Sequence, residues 1–172
     1  SGWTFDVILN LQNGFPFTNV VGNNRSADGN ARAPDRPSLI SGRKTGSITS
    51  GATTGCLGVA AGQKLGTPDR YFDPCAFSLP PAGTYGNLGK DVLIGPGLEA
   101  VDMGFLKNTR ITEKLNLQFR AEIFNLINRA NFNFPSFVVF SGTAGAYSPA
   151  AGKITATSTT SRQIQFAMKL NW

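Results

Sequence analysis

Hydrophobic and polar residues alternate in four segments of the chain, which span about residues 2–12, 99–108, 114–125 and 162–172. In the first segment the apolar positions are Trp3, Phe5, Val7, Leu9 and Leu11, with Ile8 as the exception. In the last they are Ile164, Phe166, Met168, Leu170 and Trp172. Because successive side chains of a strand point to opposite faces, a period of two predicts a β-strand with one apolar face.

The two middle segments carry the same pattern less cleanly. In the second, Leu106 lies on the wrong face, which makes this segment the weakest of the four. In the third, four residues also approximate the spacing of a helix, namely Leu117, Ala121, Phe124 and Ile127. Alternation runs through nine residues there, so the sequence favours a strand, with a helix as the alternative.

The connection between the second and third segments is short, at about residues 109–112. A short link between two strands predicts an antiparallel hairpin. If Thr109 lies opposite Glu113, both apolar sets share a face across a three-residue loop. This register brings Asp102 near Arg120 on the polar face, as a pair that would line the lumen of a barrel.

The other two connections are long, at about residues 13–97 and 128–160. Hairpin loops usually have two to five residues, so such lengths are unusual for an antiparallel sheet in water. Outer-membrane barrels combine short periplasmic turns with long external loops, and their tilted strands need about nine to eleven residues. The sequence therefore predicts an all-β fold with about four antiparallel strands of outer-membrane barrel type. A soluble sheet with one wet face is the alternative, and it leaves the long loops unexplained.

Composition is compatible with this fold. Only 15% of the residues are charged, 13 are Phe, and no apolar run reaches the length of a transmembrane helix. The mean hydropathy of −0.09 is what alternating strands produce. The net charge of +6 is scattered among Gly, Ser and Asn without an aromatic platform, which argues against nucleic-acid binding.

The only two cysteines, Cys56 and Cys75, lie in the first long loop. Two Cys without any His cannot supply the four ligands of a structural zinc site. A disulfide is the favoured interpretation, because an exported loop lies in an oxidising environment and gains stability from a cross-link. Two free thiols are the alternative.

No arrangement of residues indicates catalysis. The chain contains no His, which is the usual general base, and its ten acidic residues are dispersed. We therefore expect a protein that is not an enzyme and needs no cofactor or metal. A group of aromatic residues, Phe132, Phe134, Phe137 and Phe140, is either part of a loop folded on the barrel rim or a patch that binds a ligand or another subunit.

The ending Ser161-Arg-Gln-Ile-Gln-Phe-Ala-Met-Lys-Leu-Asn-Trp172 resembles the signal that the outer-membrane assembly machinery reads, with matches at Phe166, Met168, Leu170 and Trp172. The upstream segments resemble the C-terminal region of TonB-dependent receptors, in particular the Oar-like group with a carboxypeptidase-regulatory-like domain. These segments are Tyr85-Gly-Asn-Leu-Gly, Gly95-Pro-Gly-Leu, Val101-Asp-Met-Gly-Phe-Leu-Lys-Asn and Leu117-Gln-Phe-Arg-Ala-Glu-Ile-Phe-Asn. The resemblance implies a 22-stranded barrel with a plug, which imports nutrients with energy passed through TonB.

Two functions follow as hypotheses. In the first, residues 1–172 are the C-terminal barrel segment of such a receptor in the bacterial outer membrane, with lipid and the remaining strands as partners. In the second, they are a released extracellular fragment whose strand edges pair with copies of itself, as an oligomer or a filament. Four strands cannot close a barrel, for which about eight are needed, so both hypotheses require a partner for the open edges. The opening Ser-Gly-Trp, without a leader, is expected for a mature product or a fragment.

Overall fold

A computed structural model describes residues 2–30, 34–142 and 145–172. The chain forms two compact units, one made of residues 1–13, 97–132 and 157–172, and the other of residues 14–96 and 133–156. We call them the sheet unit and the loop unit. The strands, in chain order, are β1 (Trp3–Gln12), β2 (Pro16–Phe17), β3 (Val20–Val21), β4 (Ser38–Leu39), β5 (Phe77–Ser78), β6 (Leu93–Ile94), β7 (Leu98–Arg110), β8 (Asn116–Phe124), β9 (Val138–Ser141), β10 (Ala146–Tyr147) and β11 (Gln163–Asn171).

The sheet unit is one antiparallel sheet with the strand order β1-β7-β8-β11. Its four strands occupy the four alternating segments of the sequence, so the predicted all-β antiparallel fold class is confirmed. The helical alternative for the third segment is wrong, because Asn116–Phe124 pairs with strands on both sides. No helix in the described part of the chain is long and apolar enough to cross a membrane.

The predicted register of the β7–β8 hairpin is wrong by four residues. Thr109 lies opposite Leu117, not Glu113, and the turn comprises residues 111–115. Side chains close this longer turn: the hydroxyl of Thr112 accepts the N–H of Leu115 at 3.1 Å, and the guanidinium of Arg110 donates to two turn carbonyls. Because the shift is an even number, every side chain keeps its predicted face.

The predicted pairing of Asp102 with Arg120 is also wrong, because it followed from the wrong register. Leu106 lies opposite Arg120, four residues along β7 from Asp102. A carboxylate oxygen of Asp102 accepts the backbone N–H of Asn125 at 2.8 Å. The nearest acidic partner of Arg120 is Glu122 on its own strand, at 3.6 Å. The two residues therefore serve separate interactions on the polar face.

The loop unit contains most of the two long connections, which fold together around one apolar core. The core residues are Phe17, Val21, Ile48, Phe72, Ala76, Phe77, Leu88, Leu93, Val139, Phe140 and Ala151. Short strands join its distant parts: β3 and β10 flank β9, β2 pairs with β6, and β4 pairs with β5. The loops are thus long and irregular, as predicted, but they form a folded body with a core of its own.

The predicted disulfide between Cys56 and Cys75 is present in the loop unit, with the two Cα atoms 5.6 Å apart. Cys75 lies in a short 3-10 turn, Pro74–Ala76, which the fully buried Asp73 caps. The carboxylate of Asp73 accepts hydrogen bonds from the N–H of Cys75 at 3.1 Å, from the hydroxyl of Thr54 at 3.0 Å and from Arg43 at 2.5 Å. The disulfide and the carboxylate of Asp73 therefore both connect the segment around residues 54–56 to the segment around residues 73–75.

Burial and the charge of Asp73 change the pKa values of neighbouring groups. Burial lowers the pKa of Arg70, against the opposing effect of Asp73, while its guanidinium donates to the carbonyl oxygen of Ala151 and to Gln63. Burial raises the pKa of Tyr147, and the negative charge of Asp73 raises it further. These directions are what an interior of low dielectric with one fixed carboxylate produces.

Replacing both cysteines with Ser should weaken the loop unit. The disulfide closes a loop with a sequence separation of 19, and a loop of that size is worth about 3 kcal/mol. The measurement is hydrogen exchange at the amides of Thr53 and Gln63, two residues that bond each other, one just before Cys56 and one inside the loop that the disulfide closes. The control is Leu57→Ala, at an exposed tip, which should leave exchange unchanged. Equal protection in the double Ser variant and the parent would contradict this account.

Replacing Asp73 with Asn should also destabilise the loop unit, by about 3 kcal/mol, because the partly buried Arg43 loses its charged partner. Asn retains an oxygen that can cap Cys75, so the loss reports the ion pair rather than the cap. The exposed Asp69→Asn is the matched control and should change the free energy of unfolding by less than about 0.5 kcal/mol. Chemical denaturation followed by tyrosine fluorescence measures both, and identical midpoints would exclude a stabilising pair.

Candidate functional site

One face of the sheet is apolar from β1 to β11. The register places odd-numbered residues of β1, β7 and β8 on the same face as even-numbered residues of β11. Phe5, Phe105, Ala121 and Phe166 form one row across this face, and Val7, Met103, Ile123 and Ile164 form the next. We call this surface the apolar face.

The apolar side chains of the two outer strands are exposed. Their exposed fractions range from 46% to 69%, for Trp3, Phe5, Val7, Leu9, Leu11, Ile164, Phe166, Met168 and Leu170. Full burial of a side chain of this size is worth about 1.5–3 kcal/mol. Even at half of that value for each residue, burying these side chains together would contribute a free energy comparable to the about 5–15 kcal/mol that keeps an ordinary domain folded. The apolar face therefore requires an apolar environment.

The dimensions of the apolar face fit a membrane. From Trp3 to Leu11 the chain rises about 26 Å along the strand, and a tilt of about 40° reduces this to about 20 Å. Outer-membrane barrels carry an apolar band about 25 Å tall.

At the end near the β7–β8 turn, the ammonium of Lys107 lies 4.9 Å from the centre of the Trp3 ring. At the opposite end, Arg129 neutralises Glu99 at 2.7 Å.

The opposite face of the sheet is polar. Asp6, Gly104, Glu122 and Gln165 form a row across it. Because Gly104 has no side chain, the polar face has a depression at this position. The volume of the depression is about 390 Å³. The charged residues around the depression are Asp6, Asp102, Arg120 and Glu122. This surface is suited to contact with water and polar solutes.

Both edges of the sheet lack a partner in the described part of the chain. β1 pairs only with β7, and β11 pairs only with β8. In antiparallel strands every second residue points its N–H and C=O groups away from the neighbour, so each outer strand presents a row of unpaired groups. In hydrocarbon each such group costs several kcal/mol. Both edges are therefore available for pairing with further strands.

The residues of the predicted assembly signal lie together at the end of the chain. Phe166, Met168 and Leu170 are on the apolar face of β11, and Trp172 follows the strand with 91% of its surface exposed. Their place at the sheet edge makes them accessible to another protein, and their role as a signal stays a prediction.

The aromatic group at residues 132–140 is divided between the two units. Phe140 is buried in the core of the loop unit, and Phe132 forms a bridge with Thr157 in the sheet unit. Phe134 and Phe137 are exposed, at 43% and 44%. The four residues were predicted to form one group because this segment has no period that would distinguish core positions from surface positions.

Among the described residues no group of three or more Cys, Asp or Glu side chains is arranged to hold a metal ion. Three acidic residues, Asp6, Asp102 and Glu122, line the polar depression, which is open to solvent. The residues of interest are therefore those of the two sheet faces and the two edges.

Comparisons with known proteins agree with this geometry. A family model described as "Outer membrane beta barrel domain" matches residues 1–165. No curated protein matches the chain, and no solved structure matches it. The family match covers nearly the entire chain and includes β1, β7, β8 and the first three residues of β11. The chain belongs to the outer membrane beta barrel domain family, whose members are located in the bacterial outer membrane.

Proposed function

We propose that the chain is the C-terminal strand segment of a TonB-dependent outer-membrane receptor, and that it acts in transport without catalysing a reaction. The observation that carries the proposal is a sheet with an exposed apolar face and two unpaired edges. The remaining strands of the receptor would pair with β1 and β11, and lipid would cover the apolar face. The resemblance of the last twelve residues to an assembly signal supports the position at the C-terminus.

The topology gives each surface a role in this receptor. With the turn at residues 111–115 in the periplasm, β1 and β8 rise and β7 and β11 descend, so that the loop unit lies outside the cell. The polar face, with Asp6, Arg120 and Glu122, lines the lumen. The loop unit contributes to capture of the imported compound. The disulfide between Cys56 and Cys75 suits this location, because the exterior is oxidising.

A released fragment that assembles with copies of itself is the second candidate. The same observation favours it, because unpaired edges on β1 and β11 can pair with each other in an open, repeating arrangement. Apolar faces would then pack between copies instead of against lipid. The two candidates differ in the partner at the edges and in the environment of the apolar face.

Neighbouring residues of β1 provide a matched test of lipid contact. Val7 lies on the apolar face and Ile8 on the polar face, and both are exposed, at 51% and 65%. Val7→Lys should destabilise the folded barrel by about 2–4 kcal/mol, because a charge near the bilayer midplane is costly. Ile8→Lys should be tolerated, because its side chain projects into water. The measurement is the folded fraction in outer membranes, by heat-dependent electrophoretic mobility. Equal effects of the two substitutions would contradict the assignment of the faces.

The terminal residues provide a test of the assembly signal. Trp172→Ser should lower the amount of folded protein in the outer membrane several-fold, because the aromatic side chain would no longer be available to the assembly machinery. Asn171→Ser, one residue earlier and on the opposite face, is the control and should have little effect. If both variants accumulate at the level of the parent, the signal does not reside in the terminal aromatic residue.

A further inference from the structure

Two charged residues interrupt the apolar face, and both belong to β7. All other strand positions of this face, each of which the structure describes, carry uncharged residues. Glu99 lies at the start of β7, where Arg129 forms an ion pair with it at 2.7 Å. Lys107 lies near the end of β7, close to the turn at residues 111–115. A charge on a surface that faces lipid is costly at the bilayer midplane and is tolerated near the interface.

The surroundings of Lys107 on the apolar face are aromatic. Trp3 lies directly opposite on β1, and Phe119 lies directly opposite on β8. The ammonium lies 4.9 Å from the centre of the Trp3 ring. Phe105 and Thr109 are the nearest positions of β7 on the same face. None of these four residues is acidic, so an anion that approaches from the lipid side would meet no repulsion from them.

Backbone pairing holds Trp3 and Lys107 side by side. The N–H of Asn108 donates to the carbonyl oxygen of Gly2 at 2.8 Å, so the pairing of β1 with β7 continues past Trp3. The face of an indole ring attracts a cation, which keeps the ammonium of Lys107 on the lipid side of the sheet. The residue Trp3 is 66% exposed, and its indole N–H is a second hydrogen-bond donor of the kind that interfacial tryptophans contribute. The two side chains are therefore a fixed pair of donors.

The pair lies at the level where a bilayer places its phosphates. Trp3 and Leu11, the outermost apolar residues of β1, are about 20 Å apart in depth at the tilt of barrel strands. An apolar band about 25 Å tall therefore ends within a few ångströms of Trp3. The headgroup region beyond it is about 5–7 Å thick, and a Lys side chain can direct its ammonium outwards while its stem covers apolar surface. The ammonium of Lys107 can therefore reach a headgroup phosphate.

A phospholipid matches both the charge and the apolar surface beside it. The ammonium has three N–H donors and binds a phosphate as a compact charge, whatever else the headgroup carries. The next row of the sheet offers apolar surface to the acyl chains, with Phe5, Phe105, Ala121 and Phe166. A free phosphate ion would use the ammonium alone and leave this row uncovered. The occupant that the surface fits is therefore a lipid.

We propose that Lys107 and Trp3 form a binding site for the phosphate of a membrane phospholipid, whose acyl chains lie on the apolar face. The proposal rests on the proposed function, in which lipid covers that face and the β7–β8 turn is periplasmic, so the lipid belongs to the periplasmic leaflet. The bound headgroup fixes the depth of the sheet at this end. At the other end the charge of Glu99 is compensated within the chain by Arg129.

Lipid titration followed by native mass spectrometry tests the site. The intact barrel in detergent is titrated with phosphatidylglycerol, or with a diacylglycerol that has the same acyl chains and no phosphate. Lys107→Met removes the charge and Lys107→Arg retains it, and Lys107→Gln replaces Lys107→Met if the latter does not fold. Lys169→Met is the matched control, because Lys169 lies opposite Gln118 on the polar face, at nearly the same level of the sheet.

Lys107→Met should weaken the binding of the tightest phosphatidylglycerol about tenfold, which corresponds to the loss of one charge-assisted hydrogen bond, and should leave diacylglycerol binding unchanged. Lys107→Arg and Lys169→Met should bind phosphatidylglycerol like the parent. Equal binding by the parent and Lys107→Met, or an equal loss in Lys169→Met, would overturn the site. Displacement of the lipid by inorganic phosphate would also overturn it, in favour of a free anion. If the parent retains neither lipid, the apolar face is not covered by lipid and the proposed function itself fails.

Discussion

Backbone hydrogen bonding at the two outer strands is the constraint on which the rest of the structure depends. A polar backbone group that has no partner is tolerable in water and very costly in hydrocarbon. β7 and β8 satisfy this requirement within the sheet, because each lies between two strands, but β1 and β11 satisfy it on one side only. The apolar face suits an apolar environment such as hydrocarbon, while the edges are compatible with hydrocarbon only if other strands are added. Both demands are met when the four strands are part of a closed barrel.

The loop unit is stabilised by different interactions from those of the sheet unit. It has an ordinary apolar core, a disulfide and a buried carboxylate that organises Arg43, Thr54 and the turn at Cys75. Such elements suit a body surrounded by water in an oxidising environment. The chain therefore combines a sheet with an exposed apolar face, whose edges are unpaired in the described part of the chain, and a unit that folds around its own interior.

The four long strands and their faces could be predicted from the sequence because alternation is a local property. Val7 and Ile8 show the limit of the rule, since both are apolar and only the period of their neighbours assigns them to faces. The register could not be predicted, because it depends on how Arg110 and Thr112 close a five-residue turn. Because the observed register differs from the predicted one by an even number of residues, Asp102 and Arg120 nevertheless lie on the predicted face.

The core of the loop unit lay beyond sequence reasoning. Phe17, Phe72 and Val139 meet in space but are separated by more than fifty residues, and the strands that join these regions are too short to show a period. The disulfide was predictable because the two cysteines lie in one loop that was expected to be exported, whereas its proximity to Asp73 and Arg43 required the folded chain.

The most direct test of the central account is the size of the native particle formed by this chain alone, by light scattering and electron microscopy, with and without detergent. If β1 and β11 belong in a larger barrel, the chain should stay dispersed only in detergent and form no regular particle in water. It should acquire a defined size when the other strands of the barrel are present. Large, regular particles of this chain alone in detergent-free buffer would contradict the account, and would show that its edges pair with copies of itself.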